Sequence, residues 1–327
     1  MNVTGVEEEV HSHTEHALWR AGNGACAGCG MSLGLQWVDQ ALDGEKPTMV
    51  VPACCAVVTP GSYPTTAFGV PAVATTFASS PSVATGVSRV RQMNGEDIPT
   101  ICWAGDGGTY DIGLATISGA AERNEDIIYI CYDNEIYGNT GGQRSSATLP
   151  GARTSTTPAG KHEPKKDIMA VLVAHRIPYA ATLSLAHRDD FLRKIRVARR
   201  LRGFRFMVML SPCPAGWKSD PAEGIDLVRA AVGCGLFPLY EVFDGRRYRI
   251  NARPDGTALE DYLSRQGRFR TPSFDHAATR AAIAEQWAYL DAMEAAFPAG
   301  PREGSDVPAA PPPPPIAPEA NGPVTGP

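Results

Sequence analysis

Two apolar runs, IPTICWAG at 98–105 and DIIYICYD at 126–133, leave this chain few folds to choose from. Neither alternates polar with apolar residues, so each reads as a strand buried on both sides. A helical stretch at 111–123 lies between them. Strand, helix, strand at that length is a βαβ unit, which sets two strand ends side by side. The alternation continues along the chain. Helices are expected at 31–42, 82–93, 168–175, 188–201 and 222–233, and strands at 48–54, 178–184 and 205–211. The predicted fold is α/β, a doubly wound and mostly parallel sheet with helices on both faces. Asp-Gly between two β-like runs at 240–250 predicts a hairpin. An amphipathic helix fits 275–296, and no internal repeat is visible.

The flanks differ from this centre. Residues 1–20 are polar, carry His11, His13 and His16, and read as a flexible lead-in. From residue 300 to 327 the composition collapses to Pro, Ala and Gly, which predicts a disordered or polyproline-like tail. The expected domain therefore spans 21–299. Formal net charge is −5, which speaks against a general nucleic-acid binder. No run reaches the roughly 18 apolar residues of a membrane span; the nearest, at 168–186, is broken by His175, Arg176 and Pro178. The acidic N-terminus lacks the apolar segment of a signal peptide, so a cytoplasmic protein is expected.

Each apolar run ends in a polar, glycine-rich turn, where α/β sheets bind ligands. The first turn is Gly105-Asp106-Gly107-Gly108. Its glycines let phosphates approach backbone N–H groups at a helix N-terminus, and Asp106 offers a hard oxygen to Mg²⁺. The second turn is Asp133-Asn134-Glu135. Asn134 offers an amide oxygen to the same ion, and Ile136 a backbone carbonyl. GDG followed about thirty residues later by an Asn-containing turn after one βαβ unit is the thiamine-diphosphate signature. Thiamine diphosphate and Mg²⁺ are therefore the expected cofactors.

Eight cysteines occur. Cys102 and Cys131 lie inside apolar strands and read as small buried hydrophobes, and Cys234 reads the same way. Cys26 and Cys29 form a CxxC in GACAGCG, Cys54 and Cys55 follow the 48–54 strand, and Cys213 stands between prolines in SPCPAGW. Two thiolates from the CxxC and one from each loop suit either zinc or a 4Fe–4S cluster, and sulfur softness does not separate the two. Arg144 and Lys161 are nearby basic residues that either steer anions or pair with carboxylates.

The segment GDGGTYDIGLATISGAAERNEDIIYICYDNEIYGNTGGQRSSATLPGARTSTTPAGK resembles the β subunit of the pyruvate:ferredoxin oxidoreductase (pyruvate synthase) group, within the 2-oxoacid:ferredoxin oxidoreductase family. The similarity runs over roughly 20–235. DNEIYGNTGGQRSSAT with TSTTPAGK is closer to the pyruvate and branched-chain type than to the 2-oxoglutarate type. The resemblance implies that Asp106, Asn134 and Ile136 hold Mg²⁺, and that Asn139, Thr140, Gly141, Gly142 and Gln143 cover the cofactor. It implies that Cys26, Cys29, Cys55 and Cys213 bind a 4Fe–4S cluster. Alignment on Pro52 favours Cys55 as third ligand, with Cys54 in place of the family's glycine. Asn23 stands where the family has His. The implied reaction is oxidative decarboxylation of pyruvate to acetyl-CoA and CO2, with single electrons passed to ferredoxin or flavodoxin. No catalytic side chain is assigned within this chain. The Glu that activates thiamine is expected on an α subunit, and ferredoxin-like γ and δ subunits should export the electrons. The alternatives are a branched-chain or aryl 2-oxoacid enzyme, or a non-oxidative thiamine decarboxylase whose cysteines hold structural zinc.

Overall fold

The computed structural model describes residues 17–62, 64–270 and 274–299. His11, His13, His16 and the Pro/Ala-rich tail lie outside the described residues. The boundary expected after residue 20 falls too late, because Leu18 and Trp19 are already core. Trp19 packs edge-on against Phe68 at 5.2 Å, and its Nε1 donates to Ser32 Oγ at 2.6 Å.

One eight-stranded sheet organises the described residues. Its strands are β1 (Thr48–Pro52), β2 (Ala72–Thr75), β3 (Thr100–Gly105), β4 (Ile127–Asp133), β5 (Tyr179–Ser184), β6 (Phe204–Leu210), β7 (Leu239–Phe243) and β8 (Arg247–Ala252). They lie side by side in the order β2-β1-β3-β4-β6-β5-β7-β8. β1 to β6 are mutually parallel. β7 pairs antiparallel with β5, and β8 antiparallel with β7. The predicted Asp-Gly turn joins these last two, with Asp244 at φ 54° and Gly245 at φ 62°.

The main helices are α1 (Gly30–Leu42), α2 (Ser80–Met93), α3 (Leu114–Glu122), α4 (Ile168–Val173), α5 (Arg188–Arg200), α6 (Gly224–Gly233), α7 (Leu259–Leu263) and α8 (His276–Ala296). Alternate residues of the central strands feed two cores. Ile101, Trp103, Ile128 and Ile130 pack with Leu35 and Val38 of α1 and with Phe191 and Ile195 of α5. Cys102, Ala104, Tyr129 and Cys131 pack with Ala84 of α2, Ile117 of α3 and Leu227 of α6. Helices thus cover both faces, which is why the strand sequences are apolar throughout.

Two local features depart from the expected pattern. β2 is a largely exposed edge strand of small residues, too short to leave a periodic signal. The helix expected from 111 is preceded by a π-helical turn, Gly107–Asp111, in which the Ile112 N–H reaches the Gly107 carbonyl at 3.3 Å. Such turns occur often at functional sites.

Candidate functional site

The sheet order sets the site. β1, β3, β4 and β6 are adjacent, and their carboxyl ends carry Cys55, Asp106, Asn134 and Cys213 respectively. The pairing of Gly105 with Tyr132 aligns the ends of β3 and β4, so the next residues, Asp106 and Asp133, follow side by side.

Asp106 is buried and accepts a hydrogen bond from Ser145 Oγ. Burial, and then the charge of Asp133, push its carboxyl well above the usual range. Burial raises the Asp133 carboxyl too, although Lys165 Nζ lies 2.7 Å from Oδ2 and Tyr110 OH donates to the same oxygen at 2.8 Å. Glu135 is also buried, but Lys165 at 2.9 Å and Arg268 at 2.7 Å outweigh burial and hold its carboxyl low. Three buried carboxylates thus share two close cations. That excess of negative charge and hard oxygen suits a divalent cation.

The β4 turn is wound tightly. Glu135 sits at φ 62°, a left-handed conformation uncommon outside glycine. Its N–H donates to Asp133 Oδ1 at 3.0 Å, and the Ile136 N–H donates to Asn134 Oδ1 at 3.3 Å. Trp217 Nε1 holds the Asn134 carbonyl at 2.8 Å. The buried Ile136 carbonyl accepts no backbone hydrogen bond among the described residues.

The strap at 137–146 is tied down at both ends. Tyr137 OH donates to the Gly107 carbonyl at 3.2 Å and lies 3.0 Å from Asp111 Oδ2. Ser146 N–H donates to Asp111 Oδ2 at 3.1 Å, beside the Ser145 contact with Asp106. Between the ties Asn139, Thr140 and Gly141 are exposed, and Gly141 and Gly142 take φ 109° and 79°. Gln143 Nε2 folds back to the Thr140 carbonyl at 2.8 Å. A Cβ on Gly107 would lie 2.3 Å from the Tyr137 ring, so this glycine is required by close approach.

The cysteines gather beside this turn. A Cβ on Gly138 would stand 3.8 Å from Cys213 Sγ and 3.9 Å from Cys55 Sγ. Burial pushes the Cys55 thiol up to about 12, helped by the charges of Cys54, Cys213, Cys29 and Cys26. Backbone N–H groups of Ser32 and Met31 bond to the Cys29 sulfur, and that of Gly216 to Cys213. Burial raises the Cys54 thiol as well, against a hydrogen bond with Tyr132. Among the described residues no three His, Cys, Asp or Glu side chains close on a single ion.

Residues 53–209 match the profile of the thiamine pyrophosphate enzyme C-terminal TPP binding domain. Ketoisovalerate oxidoreductase subunit VorB of Pyrococcus horikoshii is 41% identical over 292 residues, covering 85% of this chain and 93% of that protein. Pyruvate synthase subunit PorB of Methanothermobacter thermautotrophicus is 42% identical over 263 residues, covering 78% and 91%. This chain belongs to the 2-oxoacid:ferredoxin oxidoreductase family. A solved 2-oxoglutarate:ferredoxin oxidoreductase from Magnetococcus marinus superposes with a TM-score of 0.55 at 22% identity, over 80% of this chain and 91% of that one, a likeness of fold. Like its relatives, this family member is a subunit of an oxidoreductase. The profile match stops short of Cys26, Cys29 and Cys213, so those three lie outside what it shares with thiamine enzymes generally.

Several residues around the family's motifs escaped sequence reasoning. Lys165, Arg268, Trp217, Ser145, Tyr110 and Tyr137 all touch the two turns or one another. Tyr110, Tyr137 and Ser145 lie within the quoted motif and Trp217 within PCPAGW, but Lys165 and Arg268 come from segments with no local signal. Lys161 is buried and donates to the carbonyls of Ser146, Thr148 and Pro164 at 3.2, 2.7 and 3.2 Å, so it braces the strap's far side. Burial, and then the charge of Arg144, bring its ammonium down to about 8. Asn23, where the family has His, closes a turn before Cys26, accepting from the Ala25 N–H at 3.2 Å. A cavity of about 780 Å³ opens behind the β4 turn, lined by Tyr110, Glu135, Lys165, Phe237, Tyr240 and Tyr262; neither Asp106 nor Asn134 lines it.

Proposed function

We infer that this chain is the thiamine-diphosphate-binding β subunit of a coenzyme A-acylating 2-oxoacid:ferredoxin oxidoreductase, with pyruvate as substrate. One observation carries the reading. The Asp106 and Asn134 turns and the Cys55 and Cys213 loops stand on four neighbouring strand ends.

The residues fit both groups. Asp106, the Asn134 amide oxygen and the Ile136 carbonyl would hold Mg²⁺, an all-oxygen donor set completed by phosphate oxygens. Gly105, Gly107 and Gly108 would give the diphosphate close access to backbone N–H groups. Asn139, Thr140, Gly141 and Gln143 would face the cofactor from the strap. Cys26, Cys29, Cys55 and Cys213 would hold a 4Fe–4S cluster. The crowding of two sulfurs against Gly138 and the N–H groups bonded to Cys29 and Cys213 support this, since such bonds tune cluster sulfurs. The closeness of Cys55 Sγ and Cys213 Sγ to the same glycine, Gly138, supports Cys55 as third ligand.

Bound thiamine diphosphate supplies a nucleophilic carbon and an electron sink for loss of CO2 from a 2-oxoacid, and the cluster an outlet for single electrons. The chain's own residues prepare that chemistry. Ser145 orients Asp106, Lys165 and Arg268 offset the surplus of carboxylates, and Tyr137 with Asp111 fixes the strap. The site would be completed by an α subunit bearing the activating Glu, and the electrons exported through ferredoxin-like γ and δ subunits to ferredoxin or flavodoxin. The exposed edge strand β2 is a surface such a partner could cover. A cytoplasmic location follows from thiols that must stay reduced.

A branched-chain substrate is the second reading, favoured by relatives named ketoisovalerate oxidoreductase at 40–41% identity. The deciding experiment is an anaerobic assay of the co-purified complex with a panel of 2-oxoacids, coenzyme A and a viologen dye. Highest kcat/KM on pyruvate supports the first reading, and on 2-oxoisovalerate the second. A colourless protein that holds zinc and releases aldehyde without reducing the dye overturns both.

A further inference from the structure

Between the two halves of the site lies a cation that neither half uses as a ligand. Arg268, in the short helical turn Gly267–Phe269 after α7, is only 2% exposed. Its guanidinium stands over the Trp217 ring at 4.5 Å and beside Phe269 at 4.7 Å. Nε donates to Gln266 Oε1 at 2.8 Å, and Nη2 to Tyr262 OH at 3.0 Å. Nη2 also lies 2.7 Å from Glu135 Oε2, while Nη1 has no acceptor among the described residues.

The two groups that Arg268 grips belong to different halves. Glu135 follows Asn134 directly and is held in the left-handed conformation that shapes the metal turn. Trp217 ends the one-turn helix Pro214–Trp217 that Cys213 caps, and its indole donates to the Asn134 carbonyl. Gly216 leaves no slack between them: a Cβ there would lie 2.8 Å from Ile136 Cγ2 and 3.2 Å from Cys213 Sγ. One guanidinium thus clamps the turn bearing Asn134 and Ile136 against the loop bearing Cys213. A buried ion pair adds little to stability relative to apolar packing, so a buried arginine here is poorly explained by stability alone.

We propose that Arg268 is a positioning residue that locks the metal-binding turn to the Cys213 loop and sets the electrostatic field in which the sulfur-bound centre is reduced. The proposal rests on the site assignment above. Reduction adds negative charge, which a nearby guanidinium favours. Net charge around a cluster is among the levers that fix its potential. The planar fork matters separately, because lysine can keep the charge but not the stacked, multiply bonded geometry.

The test uses the full chain co-expressed with its native partner subunits and purified without oxygen, as wild type, Arg268→Met and Arg268→Lys. Cluster potential is followed by electron paramagnetic resonance during a redox titration, and affinity for thiamine diphosphate with Mg²⁺ by calorimetry. Arg268→Met should move the midpoint to more negative potential and weaken cofactor binding about 10–100-fold, as losses behind a metal site commonly do. Arg268→Lys should hold the midpoint near wild type and still weaken the cofactor. This second variant keeps the test decisive if the methionine variant fails to fold. A fall in melting temperature with both potential and affinity unchanged would make Arg268 merely structural and overturn the proposal. Failure of the underlying assignment looks different: the wild type itself would then carry neither iron nor thiamine.

Discussion

At the scale of single residues, hydroxyls and thiols decide what the strand ends can hold. Ser145 is the only described side chain seen donating to Asp106, so it aims the carboxylate that would meet Mg²⁺. Ser145→Ala should weaken binding of thiamine diphosphate and Mg²⁺ about tenfold, the lower end of the range for such supporting groups. Calorimetry on the purified complex checks this. The two adjacent cysteines should separate cleanly. Cys55→Ser should lose bound iron and the broad visible absorbance, whereas Cys54→Ser, altered on the Tyr132 side, should keep both. Iron content per chain distinguishes them, and equal loss in the two variants would sink the assignment of Cys55.

Among the elements, the strap at 137–146 is the piece whose order depends on one ring. Tyr137 is anchored to Asp111 and to the Gly107 carbonyl, and it leans on Phe77 at 6.0 Å. Gly107→Ala would drive a methyl group into that ring and free the strap. The expected cost to global stability is about 1 kcal/mol, the worth of a hydrogen bond or so. Local opening should rise far more, seen as faster cleavage within 137–146 under limited proteolysis. Unchanged cleavage would show that Tyr137 does not hold the strap. Much of this layout was legible beforehand. The strand ends, both turns and the cysteine loops fell where apolar runs gave way to Gly, Asp and Pro. The π-helical turn after β3 was not legible, because periodicity does not report its close packing, in which a Cβ on Gly113 would lie 2.0 Å from the Gly108 carbonyl.

The whole molecule is stitched to its antiparallel edge by a buried charge network. Glu241 on β7 accepts from Tyr179 OH at 2.7 Å, from Arg193 Nη1 and Nη2 at 3.0 and 2.7 Å, and from Asn251 at 2.7 Å. Burial alone would raise its carboxyl, but the hydrogen bonds from Arg193, the charges of Lys194 and Arg193, and Tyr179 together hold it down to about 2. A depressed carboxyl stabilises the fold above its ordinary value, 4.5, and the contribution fades as pH falls from there through about 2. Its full size is on the order of 3 kcal/mol. Glu241→Gln should therefore be less stable than wild type at pH 7, with the gap closing between about pH 4.5 and pH 2. Urea unfolding at pH 7, 5 and 3 measures this, and a gap that is constant with pH would rule out the ionised carboxylate as its source.

The residues alone determined the α/β class, the parallel order of strand and helix, the paired Asp106 and Asn134 turns and the family, because each is written in contiguous sequence. They placed the domain start after Leu18 and Trp19 and gave no sign of Lys165 or Arg268. Tertiary structure supplied the burial of the first pair and the approach of the second. Sheet order alone makes β1, β3, β4 and β6 neighbours and so brings four loops from distant parts of the chain together. Charge balance at a buried turn is likewise a matter of which side chains arrive from elsewhere, and Arg268 arrives from more than a hundred residues beyond Glu135 to meet it.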